Sequence, residues 1–256
     1  MKNDIIAGLN STMRIAILSD IHSNQHAFEA VLADAKEKAP DTYYCLGDIV
    51  GYGAFPRKCL EIARATFEKI VYGNHEQAIT YPGVAGNFSP AAQSAIKYTD
   101  SALDKPDKEF IKKLEPYLVL DGLTIAHGSL RDYNEYIRDT EIAGYSLARL
   151  TTKVLFVGHT HIPEGYSFDI DSTETHAIDL SIEGQADLSG NMKYLINAGS
   201  VGQPRDGDTR AAYVIYDTET FKIDLIRVKY DNLAASRAIR KAFLPESLAK
   251  RLLTGK

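Results

Sequence analysis

Three observations predict an α/β fold for this 256-residue chain. Short apolar runs rich in β-branched residues, each too brief for a helix, recur between Met13 and Val157. An amphipathic stretch joins the first two of them, and so short a connection favours a parallel, right-handed crossover. After Pro163 the pattern changes to closely spaced alternating runs, which imply a second, mostly antiparallel sheet.

The first run, Ile15-Ala16-Ile17-Leu18, leads into Asp20-Ile21-His22. Two more extended residues would aim carboxylate and imidazole from one face, a pair suited to a borderline divalent metal. By itself Asp-x-His also reads as a polar turn from strand to helix, and repetition shifts the balance. Tyr43 to Leu46 leads into Gly47-Asp48, and Ile70 to Tyr72 into Gly73-Asn74-His75-Glu76. Leu123 to Ala126 leads into His127-Gly128, and Val154 to Val157 into Gly158-His159-Thr160-His161. In open α/β sheets ligands bind beyond the carboxyl ends of the strands. Five such ends carrying ligand-type residues therefore predict one shared site.

Between the runs, Ser23 or Asn24 caps a predicted helix over about 25–38, with Phe28, Val31, Leu32 and Ala35 on one face and Pro40 closing it. His26 lies in its first turn and reads as a surface residue or one behind the site. Gly51-Tyr52-Gly53 is a loop able to pass close to a ligand, and a helix over about 56–66 follows. Residues 82–88 are loop-like, and Ser89-Pro90 opens a helix over about 91–103. With a short helix over about 107–114 this makes a helical insertion at about 82–115, expected to flank or cover the site. Asp121-Gly122 marks a hairpin, and 139–150 returns to the sheet as a helix. Strands are predicted over 165–170, 175–182, 193–196, 211–216 and 222–230. Two helical segments over 233–253 break at Pro245, and their basic residues read as a solvated face. His176 has no partner motif and is given no role.

Composition narrows the class. Twenty-nine basic residues against 34 acidic leave a net charge of −5, with no basic stripe interleaved with aromatics, so nucleic acid is not an expected partner. A metal pair would still make a site locally positive and open to an anionic substrate. Cys45 and Cys59 are not spaced as a zinc ribbon or a disulfide framework, and Cys45 reads as a small buried thiol. Residues 1–12 hold only the short apolar group Ile5 to Leu9, far below a signal core or a membrane span. The expectation is a disordered extension over 1–12, one domain over 13–256, and a cytoplasmic protein without membrane association.

Taken in order, Asp-x-His, Gly-Asp, Gly-Asn-His-Glu, His-Gly and Gly-His-Thr-His resemble the calcineurin-like metallophosphoesterase superfamily, and the match spans Asp20 to His161. Asn197-Ala-Gly-Ser-Val-Gly-Gln-Pro-Arg205 also resembles the C-terminal motif of its small bacterial and archaeal branch. The resemblance implies a four-layer α/β/β/α sandwich of two mixed sheets flanked by helices. It implies one metal on Asp20, His22, Asp48 and His161, and a second on Asp48, Asn74, His127 and His159, with Asp48 bridging. Mixed oxygen and nitrogen donors fit manganese, iron, zinc or nickel better than calcium.

The implied activity is hydrolysis of phosphodiesters or phosphomonoesters by in-line attack of a metal-bridging hydroxide. Diadenosine polyphosphate hydrolysis is the alternative. A non-catalytic scaffold is the third reading, since the retromer scaffold subunit shares the fold but lacks the catalytic histidine. By resemblance His75 is the general acid, with Glu76 a possible orienting partner; otherwise it is a hydrogen-bonding histidine behind the ligands. The protein serine/threonine phosphatase branch places an arginine after the Gly-Asp block, where this chain has Ile49-Val50-Gly51-Tyr52. A bidentate guanidinium is not replaceable by such residues, which argues against phosphoprotein substrates. Arg131 and Arg205 remain to steady a phosphate, or else form structural ion pairs. Tyr52 and Tyr81 could stack a base or merely pack the rim.

Overall fold

The computed structural model describes residues 12–180 and 184–256. Apart from Thr12, the expected N-terminal extension lies outside these residues. The first half contains β1 (Arg14–Leu18), α1 (Gln25–Glu37), β2 (Thr42–Cys45), α2 (Pro56–Thr66), β3 (Lys69–Ile70) and α3 (Asn74–Thr80). A 3-10 turn over Pro82–Asn87, α4 (Pro90–Ala102) and α5 (Lys105–Ile111) form the insertion. Then come β4 (Tyr117–Val119), β5 (Leu123–Ala126), α6 (Thr140–Arg149), β6 (Val154–Val157), β7 (Glu164–Asp169) and β8 (Thr175–Ile178). The chain ends with β9 (Gln185–Asp187), β10 (Met192–Asn197), β11 (Ala211–Asp217), β12 (Lys222–Val228), α7 (Asn232–Lys241) and α8 (Glu246–Arg251).

The strands form two mixed six-stranded sheets, ordered β3-β2-β1-β11-β12-β9 and β4-β5-β6-β10-β7-β8. Strand alternation explains how they stack. Ile15 and Ile17 of β1 point into an apolar layer shared with Phe156, Ile196, Val214 and Tyr216, so residues of both sheets meet there. Ala16 and Leu18 point the other way, onto Phe28 and Val31 of α1 and Leu60 of α2. On the far side Leu155, Val157 and Leu195 pack against Ala143 and Leu147 of α6. The result is helix, sheet, sheet, helix, the four-layer sandwich.

Local chemistry accounts for the helix starts. Of the two candidate caps for α1, Asn24 fills the role, its side chain accepting from the Ala27 amide. Ser89 caps α4 and Asp139 caps α6 in the same way. The Asp121-Gly122 hairpin is present, with Gly122 at φ +75° and β4 antiparallel to β5.

Four expectations need correction. The strands after Pro163 do not make a separate antiparallel sheet. β11 inserts beside β1 and β12 beside β11, while β10 runs parallel to β6. Alternation reports which face is buried and carries no record of the long-range partner. The predicted run over 175–182 ends at Ile178, and residues 181–182 lie outside those described; β9 was not anticipated. The Ile70 strand is shorter than expected, with Val71 making only an isolated bridge to Glu115, and residues 82–88 are mostly 3-10 helix.

Candidate metal centre

The carboxyl ends of β1, β2 and β3 in one sheet and of β5, β6 and β10 in the other open on the same rim. Asp20 and His22 follow β1, Asp48 follows β2, Asn74 opens α3, His127 follows β5, and His159 and His161 follow β6. Donor atoms of Asp20, His22, Asp48 and His161 lie within 4.8 Å of one another, as do those of Asp48, His127 and His159. Asn74 joins the second group through its Oδ1, 3.2 Å from His127 Nε2. The structure thus brings all seven predicted donors together.

The route is not the extended backbone expected. Asp20, His22, Asp48, His159 and His161 have φ of 55°, 48°, 53°, 70° and 62°, the left-handed region that non-glycine residues disfavour. Such strain persists only where the surroundings enforce it. Here the loops pair with one another: Asp20 N donates to Gly47 O, His22 N to Asp48 O and Ser23 N to Ile49 O. The segment after β10 closes the same loop from beneath. Ser200 Oγ donates to Asp20 O, Gly202 N donates to Asp20 O, and Asn24 Nδ2 donates to Gly202 O.

Backbone carbonyls set the histidine tautomers. The Nδ1 of His22, His127 and His161 lies 3.2, 2.8 and 2.6 Å from the carbonyls of Val50, Leu46 and Gln203. A nitrogen facing a carbonyl must carry the proton, so in the neutral form of each ring Nε2 is the bare nitrogen turned to the pocket. His159 is reversed, its Nε2 donating to Asn134 O at 2.9 Å and its Nδ1 left bare.

These donors fit divalent cations. His22 Nε2 and His161 Nε2 stand 3.0 Å apart; with both Nδ1 atoms protonated against carbonyls, two lone pairs would face each other, a contact that a proton or a cation relieves. Asp20 Oδ2 accepts from Ser19 Oγ and His159 N, but Oδ1 is buried without a hydrogen-bond partner, 3.1 Å from His161 Nε2. An orphaned buried carboxylate oxygen beside two bare imidazole nitrogens is a ligand set. Asp48 Oδ2 faces His22 Nε2 at 3.6 Å and His127 Nε2 at 3.3 Å, so one oxygen touches both groups.

The electrostatics agree. Burial would raise Asp20, but His161, His22 and His127 outweigh it and hold its carboxyl well below the usual range. Asp48 is lowered in the same way, burial being overcome by His127 and His75. Burial would lower His127, but Asp48 beside it holds the ring up at about 9. Burial drops His159 to about 3 and His161 to about 4, keeping both neutral.

His75 lies in the same pocket with its ring 4.8 Å from that of His22, 4.4 Å from Tyr52 and 5.2 Å from Phe88. Burial, only partly offset by Asp48, pushes it well below the ordinary imidazole value. Its Nδ1 has no hydrogen-bond partner, and Gly51, at φ +88°, passes so close that a Cβ there would stand 1.9 Å from that atom. Glu76 does not orient His75. Its carboxylate accepts from the amides of Asp48, Gly73 and Val50, and burial first, then Asp48, push it up to about 7. It ties the two ligand-bearing loops together.

Beside Asn74 and His159 opens a cavity of about 470 Å³, also walled by Tyr52, Phe88 and Tyr136 and by Arg205, Arg251 and Lys256. The insertion contributes Val84, Asn87, Phe88, Ser89 and Ala92, so it flanks the site as expected. Arg205 donates to Gln203 Oε1 at 3.1 Å and to the Tyr52 hydroxyl at 3.4 Å. Arg131 instead faces Glu135 and lies over Tyr145 at the surface, so it forms the structural ion pair and does not line the cavity. Tyr81 is 66% exposed and also off the cavity wall. His26 lies against Phe55 with the two rings tilted, and exposed His176 approaches Glu174. Tyr136, whose ring stacks on His159 at 4.1 Å, and the basic pair Arg251 and Lys256 were not singled out from sequence. No local motif marks them; Arg251 sits in what reads as a solvated helix face, and Lys256 lies past its end.

Residues 13–221 match the family described as the calcineurin-like phosphoesterase superfamily domain. An uncharacterized protein of Methanocaldococcus jannaschii is 36% identical over 254 residues, covering 94% of this chain and 98% of that protein. The crystal structure of a metallophosphoesterase from Sphaerobacter thermophilus is 36% identical, with a TM-score of 0.83 covering 96% of this chain and 100% of that one. A hypothetical protein from Pyrococcus horikoshii OT3, 22% identical, shares the fold with a TM-score of 0.76 over 95% of this chain and 98% of its own. Among the described residues no helix is long and apolar enough to cross a membrane.

Proposed function

The chain belongs to the calcineurin-like phosphoesterase superfamily, and on that premise we propose that it hydrolyses phosphate esters at a two-cation centre. Asp20, His22, Asp48 and His161 would hold one cation, and Asp48, Asn74, His127 and His159 the other. The observation that carries this reading is Asp48 Oδ2, the one carboxylate oxygen placed against histidines of both groups. Divalent cations bound there would supply Lewis-acid charge to a phosphoryl group and bring the pKa of a water toward neutrality.

The remaining steps belong to the protein. Arg205, held by neutral partners, is free to direct its guanidinium charge at the phosphoryl oxygens. Asn74, at the first turn of α3, fixes that helix to the centre while the next residue, His75, is carried to the leaving-group side. His75 donates its proton to the departing oxygen. Burial, together with His22, His161 and His127, keeps the ring neutral, and an incoming phosphate anion opposes that effect and favours the protonated form. The cationic cavity wall favours a second reading within the same chemistry, hydrolysis of dinucleoside polyphosphates.

The test is metal analysis of the purified chain followed by a substrate panel with manganese: nitrophenyl monoesters and diesters, cyclic nucleotides and dinucleoside polyphosphates. About two cations per chain and turnover on at least one substrate class are expected. Full occupancy with no hydrolysis anywhere on the panel would overturn the reading in favour of a scaffold.

A further inference from the structure

The cavity beside the centre is larger than one phosphoryl group needs, since about 470 Å³ lies in the range of pockets that hold a whole small molecule. Its charge is one-sided. Arg205, Arg251 and Lys256 line it, and no aspartate or glutamate is among its lining residues. Six of the ten arginines off the cavity are neutralised: Arg57, Arg64, Arg131, Arg210, Arg227 and Arg240 each pair with an aspartate or glutamate. Among the described residues no ion pair joins Arg251 or Lys256 to an aspartate or glutamate side chain.

Their position is built. Gly207 N donates to Gly255 O at 2.8 Å, which pins the tail, while Leu248, Ala249 and Leu252 bury α8 against α7. Aromatic recognition is less well served. The Tyr136 ring is stacked on His159 and also lies under the Arg138 guanidinium at 4.4 Å, and Tyr52 is taken up by His22 and His75.

We propose that Arg251 and Lys256 form a second anion site, so that the favoured substrate carries a further phosphate beyond the phosphoryl group at the cation centre. This rests on the hydrolase reading for where the first phosphoryl group sits. It deepens that reading by selecting substrates on distal charge.

Binding of orthophosphate and of tripolyphosphate to the manganese-loaded protein, measured by calorimetry, tests it without turnover. Tripolyphosphate is expected to bind at least about tenfold more tightly than orthophosphate, about 1.4 kcal/mol. Arg251→Gln and Lys256→Gln should each weaken tripolyphosphate about three- to tenfold and shift orthophosphate less than twofold, with Arg251→Lys largely restoring affinity. Lys256 is exposed, so its variant reports even if the Arg251 variants fold poorly. Equal losses for both anions, or no loss for either, would overturn the proposal. Hydrolysis of the substrate panel by the same preparations is the separate control: no turnover on any of its members with selective tripolyphosphate binding intact would refute the hydrolase reading and leave the anion site standing.

Discussion

Gly51→Ala is the most informative single change, because it strikes the proposed acid and none of the seven donors. The added Cβ would lie 1.9 Å from His75 Nδ1, where ordinary contact begins near 3.4 Å, so the ring must withdraw by about 1.5 Å. A misplacement of about 1 Å costs on the order of 100-fold in rate when a group must meet a reacting atom, so kcat should fall at least about 100-fold. The φ of +88° adds left-handed strain of about 1–2 kcal/mol for a residue with a Cβ. For a chain of this size that lowers Tm by about 2–8 °C. The assay is a double-mutant cycle with His75→Ala, read by kcat, Tm and metal content. With the ring gone the kinetic penalty of Gly51→Ala should shrink below about twofold, while the Tm penalty remains. An equal kinetic loss in both backgrounds would refute the argument. So would loss of cations, because the collision would then have been relayed through Val50 to His22.

Four further outcomes are expected. His75→Asn should keep metal content and lower kcat by about 10²–10⁴-fold, most for alkyl esters with poor leaving groups; an unchanged rate on alkyl phosphates would remove the acid role. Arg205→Ala should raise KM by about 10- to 100-fold, the worth of a charged hydrogen bond, with Tm nearly constant; a merely unstable protein would support a structural role instead. Chelation should lower Tm, and manganese at about 100 times Kd should restore about 2.7 kcal/mol or 5–10 °C; a Tm indifferent to manganese would refute buried ligation. His127 stands at about 9 in the metal-free pocket, above its ordinary 6.5, and a ligating ring must be neutral. Cation affinity should therefore rise about tenfold per pH unit from 7 toward 9, with proton release, and be flat if His127 is not a ligand. By the same shift, the stability His127 contributes to the metal-free protein is present in full below 6.5 and lost as pH rises through 9.

The donors were legible in the sequence because each sits directly after an apolar run, and strand ends on one rim converge whatever the loops do. Asp20 and His22 show where that reasoning stopped. Two-residue periodicity presumed extension, yet both residues adopt left-handed backbone that comes from hydrogen bonds to Gly47 and Asp48, more than 25 residues away. Glu76 shows the same limit. Adjacent to His75 in sequence, it turns to the amides of a different loop. β11 was recognisable as a strand from its alternation, but its place beside β1 depends on a pairing across some 200 residues. Arg251 and Lys256 reach the cavity only because α8 packs onto α7, a tertiary event that no local pattern marks.

The loop that carries Asp20 rests on Ser200 and Gly202, partners about 180 residues downstream in the chain. A ribosome emits about 5–20 residues per second, so roughly ten to thirty-five seconds separate the emergence of the first donor from that of its underlay. During that interval the nascent chain exposes loose aspartates and histidines without the frame that orders them. On the two-cation reading, loading would be a late event in biogenesis, and a truncation before Ser200 should yield a chain that carries every donor residue yet retains no metal.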